Sequence, residues 1–278
     1  MKNLRILFIL GMLVFLDGTI LFSENYPQRI ISLAPSITKS LYLLKAEDKL
    51  VANTIYCLEP PQVKDKEKIG TVIEVNIEKI FNLKPDLVLA TPLTNPKTIE
   101  KLRNLGIRVV VFPAPSDFNQ ICEQFLELAK LIGKTKEAEE IVGEVKSKVD
   151  FIQTKTKDLN PPKVLVQVGA RPLFVATGRY FINDYIEFSG GINIAKDTKE
   201  GIFSKEEVLK VNPDVIIIVT MGIIGEEEKR NWQRFKTISA VEKDQIYIID
   251  ADKISSPTPV SFVETLEEFF DILHPKNR

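Results

Sequence analysis

The chain has 278 residues, 44% hydrophobic and 27% charged, with 37 basic and 38 acidic side chains and a formal net charge of −1. That length accommodates one large domain or two of ordinary size. The even charge balance argues against a nucleic-acid binder, which needs a basic face, and the apolar content argues against extended disorder.

The amino-terminal stretch differs in kind from the rest. Lys2 and Arg5 precede the apolar run Ile6–Leu16, Asp17 and Gly18 break it, and Ser23 offers a small residue for cleavage. The run is too short to span a bilayer comfortably. This layout predicts a secretory signal peptide over residues 1–23, with a retained membrane anchor as the alternative. The boundary carries no cysteine, which argues against a lipid anchor, so the expected destination is the periplasm.

After the leader, "RIISLA" (Arg29–Ala34) predicts a buried strand running into a helix entered at Pro35 and Ser36. "KLVANT" predicts a second strand, and the helix "PKTIEKLRNLG", stopped by Gly106, leads into the strand "IRVVVFPAP". Between Lys134 and Asn160 there is no proline, and Ala138, Ile141, Val142, Val145, Val149 and Ile152 fall on one helical stripe. Pro161–Pro162 ends that segment. Strands at "KVLVQVG", "DVIIIVT" and "QIYIID" follow, with a helix closed by Gly190–Gly191 and a last amphipathic helix "TPVSFVETLEEFFDIL". The rhythm predicts α/β architecture: two Rossmann-like lobes with parallel sheets joined by one long backbone helix. The expected division is an N-terminal lobe over 27–132, the helix over 133–158 and a C-terminal lobe over 159–278.

One phrase is written twice. "NIEKIFNLKPDLVLA" and "SKEEVLKVNPDVIIIV" both end a helix at Pro, turn at Asp and enter a buried strand. Glu78 and Glu206 each stand seven residues before that Pro, on the first turn of the helix. A first-turn carboxylate favours the helix dipole by a few tenths of a kcal/mol, which accounts for either acid alone. The duplication offers a second reading, a matched pair of exposed acids, one per lobe. Small and polar residues follow both strands at their carboxyl ends, where open parallel sheets bind ligands.

Several of these segments resemble a known family. "RIISLAPSITKSLYLL", "IYCLEPPQVK", "NIEKIFNLKPDLVLA" and "LRNLGIRVVVF" are similar to the first lobe of the periplasmic ABC-transporter receptors for iron chelates and vitamin B12. "GARPLFVATGRYFINDYIEFSGGINIAKD" with "FSKEEVLKVNPDVIIIV" resembles the second lobe, particularly that of the B12 receptors. The resemblance implies a class III, helical-backbone receptor whose cleft closes only slightly. It assigns Glu78 and Glu206 to docking against arginines of the permease dimer, Tyr56 to a cleft aromatic, and Pro35 and Ser36 to the first strand–helix turn at the cleft. Two positions depart from it: "TVIEVN" has no tryptophan, and Thr258 stands where many relatives carry arginine.

The remaining chemistry is sparse. His274 is the single histidine, which excludes a multi-histidine metal site and a His-based catalytic triad. It is expected as a solvated tail residue. Phosphate-binding and dinucleotide fingerprints are absent, so no cofactor is expected. Arg171 is a candidate partner for an anionic chelate or propionate, or a solvated arginine. Tyr180 and Phe181 are candidates to stack on a flat ligand, with at least one of them in the core. Trp232 either caps the cleft or staples its helix to the lobe. Cys57 and Cys122 are read as two buried thiols or a disulfide. With the leader and the paired acids, the resemblance implies a monomeric exported receptor, not an enzyme. It would pass a metal chelate (ferric siderophore, haem or corrinoid) to an ABC permease dimer with its ATPase subunits. The alternatives are a chelatase-like enzyme on the same fold and a receptor for an oxyanion or other small solute.

Overall fold

The computed structural model describes residues 26–220 and 224–275; the expected leader lies outside them. The first sheet is built from β1 (Ile30–Ser32), α1 (Pro35–Leu43), β2 (Leu50–Asn53), β3 (Glu67–Lys68), α2 (Ile77–Asn82), β4 (Leu87–Ala90), α3 (Pro96–Asn104) and β5 (Val109–Val111), with one 3-10 turn at Pro61–Asp65. Its strand order is β3-β2-β1-β4-β5 and every pairing is parallel. Side chains alternate across such a sheet. Leu87 and Leu89 enter one core cluster while Val88 and Ala90 enter another on the opposite face, so both faces are covered. That explains why β4 reads as an unbroken apolar run.

Two long helices follow, α4 (Phe118–Ile132) and α5 (Thr135–Thr156). Gly133 ends α4 in the left-handed region at φ 76°, the geometry that favours glycine after a helix. The predicted stripe of α5 is buried at Ala138, Val142, Val145, Val149 and Ile152, and Ile141 packs at its margin.

The second sheet comprises β6 (Lys163–Gly169), β7 (Leu173–Val175), β8 (Ile192–Asn193), β9 (Ile202–Phe203), β10 (Val215–Val219) and β11 (Ile246–Ile249). With them stand α6 (Ile182–Phe188), α7 (Lys205–Val211), α8 (Gly225–Trp232), α9 (Ser239–Glu242), α10 (Ala251–Ile254) and α11 (Pro259–Leu273). β11, β10, β6 and β8 run parallel, but β7 is antiparallel to β6 and β9 is antiparallel to β7. The expectation of two parallel sheets is thus corrected for the second, which is mixed. Only Ala170, Arg171 and Pro172 join β6 to β7. A parallel crossover needs a dozen residues or more, so this connection can only be a hairpin.

The two sheets are not independent bodies. One buried cluster runs from Ile30 and Leu87 of the first sheet, through Phe125, Val145, Phe262 and Phe269 on the helices, to Val166 and Ile217 of the second. Helices α4, α5, α6 and α11 therefore form a shared middle layer, and separate apolar clusters cover the outer face of each sheet. Both cysteines are buried and free in the first lobe's share of this core, and burial pushes the Cys122 thiol up to about 11. His274 is not a loose tail residue: its Nε2 lies 2.8 Å from the Ser189 carbonyl oxygen and its ring packs on Phe270. Gly190 stands beside it at φ 79°, where a Cβ would come within 2.6 Å of Thr156, so glycine is required there twice over.

Candidate ligand-binding cleft

The duplicated phrase builds the same clamp in each lobe. The Asp86 N–H donates to the Arg29 carbonyl at 3.0 Å, and the Asp86 carboxylate accepts from the N–H groups of Gln28 (2.7 Å) and Arg29 (3.0 Å). In the second lobe the Asp214 N–H donates to the Lys163 carbonyl at 2.8 Å, and its carboxylate accepts from the Lys163 N–H at 3.0 Å. The basic side chains complete the match. Arg29 Nη2 donates to the carbonyl of Leu83 at 2.7 Å, and Lys163 Nζ to that of Val211 at 3.2 Å, which occupies the same place before its Pro. Both chains enter the Pro through a left-handed residue, Lys84 (φ 49°) and Asn212 (φ 54°). The repeat thus fixes β4 against β1 and β10 against β6, and with them the loops at the strands' carboxyl ends.

Those loops enclose a cavity of about 280 Å³ between the lobes. From the first lobe come Pro35 and Ser36 after β1, Thr91–Leu93 after β4 and Phe112–Pro115 after β5; α4 supplies Ile121, Gln124, Phe125 and Leu128. The second lobe supplies Tyr180, Phe181, the segment Ser255–Pro257 and Pro259. Among the described residues, those lining the cavity carry no charged side chain. Their polar side chains are Ser36, Ser40, Thr91, Gln124, Tyr180, Ser255 and Ser256. Six prolines lie in the wall: Pro35, Pro92, Pro113, Pro115, Pro257 and Pro259. Each removes a backbone donor and fixes φ, so the wall is stiff and offers few hydrogen bonds.

Asp184 helps hold the two sides together. Its carboxylate accepts from the Phe118 N–H at 2.8 Å, tying α6 to the start of α4. Burial raises its carboxyl above the usual Asp range; the Phe118 bond opposes this, and the neighbouring Asp117 and Glu187 charges reinforce it. Beside this bond the Phe118 ring packs on Phe188 and Phe262.

The predicted residues divide into three groups. Pro35, Ser36, Tyr180 and Phe181 line the cavity. Tyr56 (54% exposed) and the exposed Arg171 sit on loops at the carboxyl ends of β2 and β6, outside the lining. Trp232 is buried to 2% exposure in the outer core of the second lobe, among Leu165, Ile218 and Ile246. Its Nε1 donates to Gln167 Oε1 at 2.7 Å, while the Gln167 amide donates to Glu228 at 3.0 Å. The reading of Trp232 as a cleft residue is corrected accordingly; it staples α8 to β6. Thr258 lies outside the lining, and its hydroxyl caps α11 by accepting from the Ser261 N–H. Glu78 and Glu206 are exposed on the first turns of α2 and α7. The sequence reading missed the "FPAP" wall at Phe112–Pro115 and the inner face of α4. The proline-rich run directly after a buried strand was the available signal for the first; nothing local marks the second.

Comparison with known proteins bears directly on this arrangement. The profile of a family described as periplasmic binding protein matches residues 30–253. The chain belongs to the periplasmic binding protein family. Proteins similar to it include the vitamin B12-binding protein of Vibrio cholerae, 29% identical over 249 residues, 88% of this chain and 89% of that protein. The crystal structure of the Vibrio cholerae periplasmic vitamin B12 binding protein superposes with a TM-score of 0.75 at 28% identity, over 89% of this chain and 96% of the other. An ABC transporter substrate-binding lipoprotein of Bacillus subtilis, YvrC, is 30% identical over 91% of this chain and 82% of its own length. A periplasmic solute-binding protein of Staphylococcus epidermidis superposes with a TM-score of 0.80 at 29% identity, over 89% of this chain and 99% of the other. As a periplasmic binding protein the chain has a two-sheet frame and a cleft at the strands' carboxyl ends, and these solute-binding relatives share its fold almost end to end.

Proposed function

We propose that this periplasmic binding protein is an exported receptor that captures a metal chelate in the inter-lobe cleft and delivers it to an ABC permease. The observation that carries this reading is the cavity wall. It is rigid, aromatic and proline-rich, and among the described residues it is free of charged side chains. Such a wall buries large apolar area while making few polar demands, which suits the face of a macrocycle better than a small hydrophilic solute. A charged oxyanion is best met by basic side chains, and among the described residues none lines this cavity. The same absence of charge favours an uncharged, amide-fringed macrocycle such as a corrinoid over an anionic siderophore complex. The likeness to vitamin B12-binding proteins supports that choice.

One observation favours haem as a second ligand. Tyr180 stands in the cavity wall, and a tyrosine phenolate is an established axial ligand of haem iron. The two readings separate by spectroscopy. Titration with cyanocobalamin and with haemin, followed by absorbance and calorimetry, should give micromolar or tighter binding for one of them. Haem held through Tyr180 should lose its charge-transfer band in Tyr180→Phe, whereas corrinoid binding should change only a few-fold. Failure of cyanocobalamin, haemin and a ferric hydroxamate siderophore alike would overturn the chelate reading. In this reading Glu78 and Glu206 are the handles by which the receptor docks, and residues 1–23 direct export.

A further inference from the structure

The duplicated phrase carries a feature that the paired acids do not exhaust. Three residues after Glu78 stands Phe81, and three after Glu206 stands Leu209, so each apolar side chain occupies the same place in its copy of the motif. Phe81 is 50% exposed and Leu209 37% exposed. The preceding residues, Ile80 and Val208, are both fully buried and account for the packing of these helices on their sheets. Residues three apart on a helix share a face, with Cβ atoms about 5–6 Å apart. Each lobe therefore presents an exposed carboxylate beside a partly exposed large apolar group. Scattered surface leucines need no explanation, but two at one position of a duplication, each beside a duplicated acid, are not scattered. A solvated helix face gains nothing from phenylalanine, whose helix propensity is below that of lysine or glutamate.

Topology sets where these faces point. α2 leads into β4 and α7 into β10, and both strands run toward the cleft, so both helices begin at the cleft edge of their lobes. We infer that Phe81 and Leu209 are a second pair of docking contacts, each seating in an apolar hollow beside a basic side chain on one half of a twofold-symmetric permease. This inference rests on the receptor reading. It commits to a partner with two equivalent sockets because the chain itself supplies two equivalent patches, and a twofold dimer is the simplest surface that does the same. Within each socket an arginine fits best: its planar fork pairs with the carboxylate while its face lies on the neighbouring apolar group. The two patches are then unequal. The Phe81 ring adds a cation–π contact that Leu209 cannot make.

The test is binding of the receptor to its own cell's permease complex in nanodiscs, compared for wild type, Phe81→Ser/Leu209→Ser, each single variant and Phe81→Leu. Both glutamates stay in place throughout. The double variant should bind at least about tenfold more weakly, Phe81→Ser should lose more than Leu209→Ser, and Phe81→Leu should recover most of the loss. Thermal midpoints should stay within a few degrees of wild type, because both side chains are partly exposed in the free receptor and the buried Ile80 and Val208 carry the packing. Wild-type binding that the double variant matches would overturn the inference while leaving the receptor reading intact. A wild-type receptor that fails to bind the permease would overturn both. Concentration-dependent self-association of wild type, abolished in the double variant, would assign the patches to a second copy of this chain and overturn the permease assignment.

Discussion

At the scale of single residues, two buried-strand starts are fixed by aspartates, while the cavity lining carries no charged side chain among the described residues. Asp86 and Asp214 each link backbone groups on both sides of their lobe's central strand pair. Hydrogen bonds to a charged acceptor contribute about 1.5–3 kcal/mol, so Asp86→Ala and Asp214→Ala should each lower stability by roughly that amount in urea unfolding. Ligand affinity should change much less, and the two losses should be alike despite the distance between the sites. The repeat itself was legible in the sequence, and its two acids with it. The clamp was not, because Arg29 and Asp86 lie 57 residues apart and only folding brings them together. Asp184 gives a residue-scale test with a pH signature. Its carboxyl is raised above the ordinary Asp value, chiefly by burial, so the folded state holds the proton more tightly than the unfolded chain. The stability from this site is complete below the unfolded value and is lost as pH rises through the raised folded value. Asparagine can still accept from the Phe118 N–H and carries no charge to desolvate. The thermal midpoint of Asp184→Asn relative to wild type should therefore climb as pH rises from about 4 toward neutrality. A difference that stays flat over that range would remove the desolvated carboxylate from the account.

At the scale of elements, α5 shows what periodicity can and cannot reveal. Its apolar stripe was readable because five buried positions recur at helical spacing, and its end because two prolines follow. What the stripe packs against was not readable. It meets α4 and α11 in the cluster that also holds side chains of both sheets. The antiparallel strands β7 and β9 escaped notice for a different reason: strands of three and two residues are too short to display an alternation. Trp232 was ambiguous because a tryptophan serves equally as cleft wall or core staple, and only its bond to Gln167 decides. The shared middle layer changes the expectation for a broken strut. Val145→Pro costs about 3 kcal/mol or more for the helix alone, a large part of the total stability of a typical fold. If the lobes were joined only by a rod, each would survive with its mutual orientation lost. With one core running through both, they should weaken together. Trp232 fluorescence reports the second lobe, and the reactivity of the buried Cys57 and Cys122 thiols reports the first. In Val145→Pro both signals should shift to lower urea together. A thiol transition that moves while the tryptophan transition stays would show that the lobes unfold independently.

At the scale of the whole molecule, the continuous core limits how far the cleft can open and close. Phe125, Val145, Phe262 and Phe269 pack in one cluster that spans both lobes, and large rotation about α5 would expose them to water. In the proposed receptor, ligand capture would then be signalled mainly by the filled cleft and its rim, with the spacing between lobes nearly constant. That constancy is what a docking pair needs, because two handles can engage two sockets only if the distance between them is fixed. In the proposed docking Glu78 and Glu206 would be the handles: each is exposed on the first turn of a helix that begins at the cleft edge. The neighbouring Glu207 is otherwise engaged, its carboxylate bonded to the Ser204 N–H and hydroxyl, which holds it below the usual carboxylate range. Glu206 has no such role in the capping box, which leaves it available to a partner. Reversing both charges in Glu78→Lys/Glu206→Lys should abolish uptake into permease-containing vesicles, because each lysine then faces a basic socket at a partly desolvated interface, a penalty of several kcal/mol. Each single reversal should be less severe, since one handle still engages. Affinity for cyanocobalamin or haemin in the free receptor should stay within about twofold, because neither position lines the cavity. Stability should fall by no more than the few tenths of a kcal/mol that a first-turn carboxylate contributes. Normal uptake by the double variant would reduce both acids to helix-dipole residues, and lost ligand binding would move them into the site.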